Sequence, residues 1–373
     1  MPDFGNESQD LDHFPFLNHL EVPPAWGDAA RLFVERGGPV MVLGAPDTGK
    51  STLSRYLLYK TFAAGLPSAL VDLDLGQSHL GPPATLGLGL FPPRLPGDDS
   101  LFPESVYFIG QTSPVGNLLE VAVGCRVLAD QAARRGIERV VVNTSGLVNG
   151  PGALRLKRAQ MELLQPPLIL ALQREQELEP LLEGLGGETP RGELPAMGTV
   201  LRLPVSSRVS LKTQEDRRRY REARFRRYFE KAGRLSLPWR ALVLEGLPWG
   251  RGEALPASEL QRYGQSLGAA VLYGEASGDR KLLLLEEPPR ANPPLLPEGS
   301  CHCLAWSSMH LRLVGLLDDS RRTLALGLIM PGAWNPEEVL LWTPLAPDAA
   351  PRVRFLKIGK IQLSLTGKEL TEV

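Results

Sequence analysis

Through roughly the first two thirds of the chain, apolar residues come in short unbroken runs separated by amphipathic stretches. PVMVL (39–43), SALVDLDLG (68–76), VYFIG (106–110), RVVVNTSG (139–146), PLILALQ (167–173) and TVLRLPV (199–205) are such runs. Each reads as a strand buried on both faces. Between them, PAWGDAARLFVERGG from Pro24 reads as a short helix ending at a Gly pair, and TLSRYLLYKTFAAG as an amphipathic helix closed by Gly65. A longer helix runs from about Asn117 to Arg135. Strand and helix alternate, which predicts a doubly wound α/β domain with a mostly parallel sheet to about residue 235. From Ala241 the pattern changes to VLEGL, AAVLYG, KLLLLEE, HLRLVGLLD, TLALGLIM, VLLWTPL and VRFLKIGKIQLSL, separated by Gly, Pro and Asp clusters. That predicts a β-rich C-terminal domain. The Pro-rich EEPPRANPPLLPEG within it reads as an extended surface connection. The expected division is a short N-terminal segment (1–36, irregular to about residue 24), an α/β domain (37–237) and the β-rich domain (238–373).

Composition narrows the function classes. Apolar residues make up 43% and charged residues 22% of the 373, ordinary values for a globular protein. The net charge of −1 excludes a uniformly basic nucleic-acid binder, so any such binding must come from a local patch. No apolar window is long enough to span a membrane, and MPDFGNESQDLDHF is too acidic and polar for a secretory signal. Three cysteines make no disulfide framework, so a reducing cytoplasm is expected.

Gly44-Ala45-Pro46-Asp47-Thr48-Gly49-Lys50-Ser51, followed by Thr52, fits G-x-x-x-x-G-K-[ST]. The glycines let successive N–H groups turn inward on phosphate oxygens, and the following helix adds its positive end. Lys50 can reach β- and γ-phosphates, and the Ser51 hydroxyl can ligate Mg²⁺. Because the motif follows a strand and opens a helix, it predicts a P-loop NTPase fold binding ATP or another NTP. In VDLDLGQS, Asp72 and Asp74 are expected on one side of a strand end, facing the ligand crevice. There a carboxylate can hold Mg²⁺ or accept a hydroxyl proton; alternatively one Asp only caps the turn. Gln77 either orients a reactant or is a turn residue.

KTQEDRRRYREARFRRYFEKAGR (212–234) is helix-compatible, with Arg217, Arg221 and Arg224 on one face. It reads as a lid, about 208–232, whose Arg residues neutralise a transferring phosphoryl group. The alternative is a surface helix or a nucleic-acid patch. Cys301-His302-Cys303 has no second ligand pair, and His310 alone does not complete a tetrahedral set, so it reads as coincidence. His79 reads as an ordinary loop residue, and Trp239, Trp249, Trp306, Trp334 and Trp342 as packing.

Together these segments resemble the Clp-one/Grc-three family of RNA 5′-hydroxyl kinases, from about Val40 to Phe229, with a weaker echo in RFLKIGKIQLSLTGKEL. GAPDTGKST is similar to the family's GPTDxGKST, and DLDLGQ to [DE]LDxGQ. IGQTSPVGN is similar to FGxTxPxxN, NTSGLVNG to NTxGWxxG, and RRRYREARFRRYF to a basic lid ending in a Tyr-Phe pair. The resemblance implies ATP with Mg²⁺ on the P-loop and transfer to the 5′-hydroxyl end of RNA and/or DNA, single-stranded. It implies Asp74 as orienter or base, Lys50, Arg217 and Arg221 as charge neutralisers, and Ser51, Asp72 and Asp74 around the metal. Gln77, Thr112, Pro114, Asn117, Thr144, Gly146 and Leu147 fall at substrate-side positions. Two departures stand out. Leu147 replaces a base-stacking Trp, an interaction worth roughly 1–3 kcal/mol per base, and Lys212 replaces the first lid Arg. Fewer than about forty residues precede the P-loop strand, so the large N-terminal domain of eukaryotic members is not expected and adenine recognition is unassigned. A free-standing RNA-processing or repair enzyme is expected. The alternatives are an ATP-binding scaffold subunit of an RNA-processing complex and a small-metabolite kinase or assembly ATPase.

Overall fold

The computed structural model describes residues 21–91, 103–183, 185, 198–247, 249–250, 252–289 and 300–370. The first twenty residues of the expected N-terminal segment and residues 290–299 of the Pro-rich connection lie outside these. The chain divides into two compact units, Met1–Arg221 and Glu222–Val373.

In the first unit, the run PVMVL becomes β1 (Pro39–Gly44), which is buried throughout after Pro39. Its alternation serves two cores. Val40 and Val42 face Trp26 and Phe33 of α1 (Pro24–Arg36) and Leu53 and Leu57 of α2 (Lys50–Ala63). Met41 and Leu43 face Met161 of α4 (Pro151–Leu164). β1 pairs in parallel with β5 (Arg139–Asn143) and β6 (Leu168–Gln173). β5 pairs with β2 (Ser68–Asp72), and β6, followed by the short α5 (Glu179–Leu182), pairs with β7 (Thr199–Pro204). The sheet order is β4 (Ser105–Phe108), β3 (Thr85–Phe91), β2, β5, β1, β6, β7, with Val121 and Leu128 of α3 (Leu118–Arg134) in one core with residues of β2 and β3. A fully buried Val or Leu contributes about 1.5–3 kcal/mol, so the two covered faces stabilise the long parallel runs.

VYFIG forms only a four-residue edge strand, β4 (Ser105–Phe108). Between it and β2 stands a strand the pattern did not predict, β3 (Thr85–Phe91), antiparallel to both neighbours. Its TLGLGLF is weak as a strand signal because glycine is. The glycine is needed: a Cβ on Gly87 would come within 2.6 Å of the Leu80 Cβ.

The second unit begins within α6 (Gln214–Phe229), whose residues to Arg221 count with the first. One sheet joins β10 (Glu253–Ala254), β11 (Val271–Ser277), β12 (Arg280–Leu285) and β13 (Ser300–Ala305). The other orders β18 (Glu369–Leu370), β17 (Phe355–Leu363), β14 (Arg312–Leu317), β15 (Thr323–Ile329), β16 (Glu338–Thr343) and β8 (Gly233–Pro238), with β9 (Val243–Glu245) beside β17. Every C-terminal apolar run lies on a strand. The helix α7 (Ala257–Leu267) and strands β8 and β13 were not expected. Trp239, Trp249, Trp306 and Trp334 gather with ring centroids 5.0–6.4 Å apart, while Trp342 stands on β16. Cys301, His302 and Cys303 are neighbours on β13, and no group of three His, Cys, Asp or Glu able to hold a metal occurs among the described residues. Among these residues no helix is long and apolar enough to cross a membrane.

Cys125 of α3 is buried, and burial pushes its thiol up to about 12. A raised pKa means less thiolate at any given pH, so at pH 8 the native protein should leave Cys125 unlabelled by a maleimide. Denaturation should then expose it. Mass-spectrometric mapping of the tagged cysteines checks this, and labelling of Cys125 in native protein at the rate of exposed Cys303 contradicts it.

Candidate functional site

β1 delivers the chain into the loop at Gly44, and α2 receives it at Lys50. Asp47 takes a left-handed conformation (φ +55°) that Asp tolerates better than most residues, and Gly49 (φ +89°) starts the helix. Thr48 Oγ1 and Lys50 Nζ both donate to the Ala45 carbonyl, at 2.9 and 2.6 Å. Burial pulls the Lys50 ammonium down to about 8. Asp74 and Asp47 oppose that pull, and Arg217 and Arg174 add to it. The loop borders a cavity of about 690 Å³, a size typical of ligand pockets.

Both carboxylates stand near the end of β2, but not side by side. The strand stops at Asp72, so the alternation that predicted a shared side ends there. Asp72 has no exposed surface and does not line the cavity. Its Oδ1 accepts from the Asp74 N–H (3.2 Å) and Asn143 Nδ2 (3.0 Å), and its Oδ2 from the His79 N–H (2.7 Å) and Ser78 Oγ (3.3 Å). Burial, helped by Asp74, pushes the Asp72 carboxyl up to about 6. Asp74 lies in the following turn, where Oδ1 accepts from the N–H groups of Gly76 (3.1 Å) and Gln77 (2.9 Å). Its Oδ2 has no partner among the described residues, and the residue lines the cavity with Ser51. A divalent cation therefore fits Ser51 and Asp74, and Asp72 stands behind them as a bracket. Asn143 links the two levels by donating to Asp72 and to Ser51 Oγ (3.3 Å).

Thr112, Pro114, Gly146 and Leu147 also line the cavity. Asn117 and Thr144 do not. Asn117 precedes α3 and donates to Gln111 Oε1 at 2.6 Å, while Thr144 Oγ1 donates to the Val42 carbonyl at 2.8 Å. Gly146 is pressed on the P-loop: a Cβ there would lie 2.9 Å from Pro46 N. Gln77 Nε2 donates to the carbonyls of Gly76 and of Arg217 in the lid (3.0 and 3.2 Å), and its buried Oε1 has no partner among the described residues. His79, read as an ordinary loop residue, lines the cavity.

The helix α6, expected from the sequence as a lid, starts with a reciprocal cap. Thr213 Oγ1 accepts from the Asp216 N–H, and Asp216 Oδ2 accepts from the Thr213 N–H. Asp47 Oδ2 accepts from Arg217 Nη2 (2.5 Å) and the Lys212 N–H (3.1 Å). Its carboxylate thus faces the lid and not the phosphate cradle, where it would repel phosphate. Tyr220 OH donates to the Ser78 carbonyl at 2.9 Å, so the lid's first turns rest on both the P-loop and the Asp74 turn. Arg217, Arg221 and Lys212 line the cavity; Arg224 does not.

Several contributors went unread in the sequence. Asn143 stands opposite Asp72 where adjacent parallel strands end, a signal strand pairing would have revealed. Trp26 lines the cavity, as do Glu21 and Ser206. Arg174 Nη2 donates to the Asp47 carbonyl at 2.5 Å. Lys157 of α4 is fully buried, and its Nζ donates to the Ser145 carbonyl at 2.9 Å and to Ser145 Oγ at 3.3 Å. Burial, with Lys50 nearby, pulls this ammonium down to about 7. A lysine within an amphipathic helix reads as exposed, so no sequence signal marked it.

Residues 44–231, just over half the chain, match the family described as mRNA cleavage and polyadenylation factor CLP1 P-loop. A polyribonucleotide 5′-hydroxyl-kinase of Pyrococcus furiosus is 28% identical over 91% of both chains. Another, of Methanocaldococcus jannaschii, is 25% identical over 89% of this chain and 88% of its own. The wild-type Clp1p–Pcf11p (454–563) complex has a similar fold, with TM-score 0.58 and 12% identity over 90% of this chain and 77% of that one.

Two substitutions probe this arrangement without requiring activity. Asp72→Asn leaves one acceptor oxygen where two served four donors, so thermal or urea unfolding at pH 7 should show a loss of about 2–4 kcal/mol. Unchanged stability would mean that the bracket carries no weight. Asp47→Asn removes the charge that holds Arg217. Amide exchange across residues 212–221 should quicken roughly tenfold, the equivalent of one charge-assisted hydrogen bond. Exchange at the wild-type rate would show that the lid does not lean on Asp47.

Proposed function

The chain belongs to the mRNA cleavage and polyadenylation factor CLP1 P-loop family, and on that premise we propose that it is an ATP-dependent polynucleotide 5′-hydroxyl kinase acting on RNA. The observation that carries the reading is one cavity lined by two sets of groups. The phosphate loop supplies one set and Thr112, Pro114, Gly146 and Leu147 the other, and Asp74, Arg217 and Arg221 line the same space. A simple ATPase has no use for the second set. RNA is favoured over DNA because the kinases similar to this chain are named for polyribonucleotides. Three cysteines without a disulfide among them suit a reducing cytoplasm.

In this reading the loop from Gly44 to Thr52 receives the ATP phosphates on its N–H groups, with Thr48 and Gly49 shaping the curl. Lys50 exchanges the Ala45 carbonyl for β- and γ-phosphate oxygens. Asp74 accepts a hydrogen bond from the 5′-hydroxyl and takes its proton as the oxygen attacks the γ-phosphorus. The bond from that phosphorus to the β–γ bridging oxygen breaks, and ADP leaves with the electron pair. Arg217 and Arg221 face the charge spread over the transferring group. Ser51 and Asp74 would hold Mg²⁺, which supplies further charge neutralisation at the β- and γ-oxygens when bound. Thr112, Pro114, Gly146 and Leu147 position the terminal nucleotide, supported by Gln77, Asn117 and Thr144. An ATP-binding scaffold would have no need of Lys50, Ser51, Asp74 and both lid arginines at one cavity.

Transfer from γ-labelled ATP to matched 5′-hydroxyl RNA and DNA oligonucleotides tests the proposal. Label should appear on the 5′ end of RNA and fall at least about a hundredfold in Lys50→Ala and Asp74→Asn. A wild-type protein that binds ATP yet labels neither oligonucleotide would put the scaffold reading first.

A further inference from the structure

The Cys301-His302-Cys303 fragment on β13 has no part in the proposed reaction, and its geometry is more specific than its sequence. β13 ends its sheet, so its outer edge carries no partner strand among the described residues. It runs parallel to β12, with Cys301 beside Lys281, His302 beside Leu282 and Cys303 beside Leu283. Strand side chains alternate, so the two cysteines share one face and His302 takes the other. The packing agrees: Cys301 joins Leu283, Leu285 and Tyr263 of α7 in one cluster, while Leu282, Leu284 and Leu304 join another. The fragment therefore offers two sulfurs on one side and leaves its imidazole on the opposite one.

The two thiols are hydrogen-bonded to each other. Cys303 is exposed and Cys301 half-buried. Burial holds both thiols above their usual range, and the Lys281 ammonium works against it at Cys301. Lys281 Nζ donates to Tyr263 OH at 2.7 Å, and Glu259 Oε2 lies 3.9 Å from it.

What such a pair can hold follows from ligand count and spacing. Zinc asks for four ligands, and among the described residues no third His, Cys, Asp or Glu joins the pair. Two residues apart on a strand, the Cα atoms are separated by about 6.6 Å. A disulfide would draw the sulfurs to about 2.05 Å and strain the strand. Two metal–thiolate bonds of about 2.3 Å set end to end keep them about 4.6 Å apart, within reach of side chains that already lean together. Soft thiolates select monovalent copper. Two thiolates on a monovalent ion carry one net negative charge, and the Lys281 ammonium beside Cys301 is its complement.

We propose that Cys301 and Cys303 form a two-coordinate site for a soft monovalent cation, copper(I), at the exposed edge of β13. Each thiol gives its proton to solvent and a sulfur lone pair to the metal, and no electron changes owner.

The full chain, reduced and kept free of oxygen, is titrated with copper(I) held by a chromophoric chelator. One ion per chain should pass to the protein, with two protons released per ion in calorimetry across buffers of different ionisation enthalpy. X-ray absorption should show two sulfur neighbours and no nitrogen. In Cys303→Ser the affinity should fall by more than the roughly 10–100-fold that loss of a group merely supporting a metal ligand costs, and His302→Ala should bind as wild type does. Zinc(II) should bind wild type no tighter than Cys303→Ser. Undiminished affinity in Cys303→Ser would overturn the proposal. So would a nitrogen neighbour with weakened binding in His302→Ala, or one ion shared by two chains in native mass spectrometry. Should Cys303→Ser fail to fold by circular dichroism, the ligand count in the wild-type absorption spectrum decides alone.

Discussion

The carboxylate of Asp72, without exposed surface, accepts hydrogen bonds from four groups on two segments. Three belong to the turn that carries Asp74, and the fourth is Asn143 at the end of the neighbouring strand. Asn143 in turn reaches the Ser51 hydroxyl at the head of α2. The P-loop helix, the Asp74 turn and the β5 terminus are thus fixed to one buried anion. Water could satisfy each donor separately, but it would not hold them in one geometry. The cost is a carboxyl pushed up towards neutrality by its own burial. That cost is tolerated because removing the acceptor would strand several donors at once.

Charge balance sets the second constraint. Lys50, Lys212, Arg217 and Arg221 line one cavity. These cations repel one another, and burial, with Arg217 and Arg174 adding to it, pulls Lys50 towards losing its proton. Asp47 offsets part of this by holding Arg217. Only one Arg217 nitrogen, Nη2, is recorded on that carboxylate, and a guanidinium has five N–H donors. The same ion pair that steadies the lid can therefore leave part of the fork for phosphate. A carboxylate in a phosphate-binding loop looks paradoxical until its partner is seen on another element.

The legible parts of the fold and the site are those written locally. The P-loop could be read because its glycines, its lysine and the strand before it are contiguous, and the cavity-lining Arg217 and Arg221 because arginine at that density is rare. β3 was missed because glycines that admit Leu80 erase the strand pattern, and α7 because a β-rich reading left no place for a helix. β13 was missed because an edge strand carrying Cys-His-Cys lacks an apolar run. Asp72 and Asp74 were read as neighbours on one strand face, and only the end of β2 separates their roles. Lys157 and Asn143 act through contacts between elements far apart in sequence, and nothing in their immediate context distinguishes them from a surface lysine and a strand-end turn residue.

Leu147 bears on what kind of recognition the cavity can offer. An aliphatic side chain contributes contact area but no π-face, so a terminal base gains little from it. Beside it the cavity lining carries Thr112, Ser113, Pro114 and Ser145. Under the proposed kinase reading, hydroxyls and backbone peptides of this kind would meet a sugar-phosphate backbone, and a site of this composition would tell an end from an interior more readily than one base from another. Close packing of Gly146 on Pro46 fits that economy. It sets the Gly146 backbone against Pro46 of the phosphate loop with no room for a side chain between them.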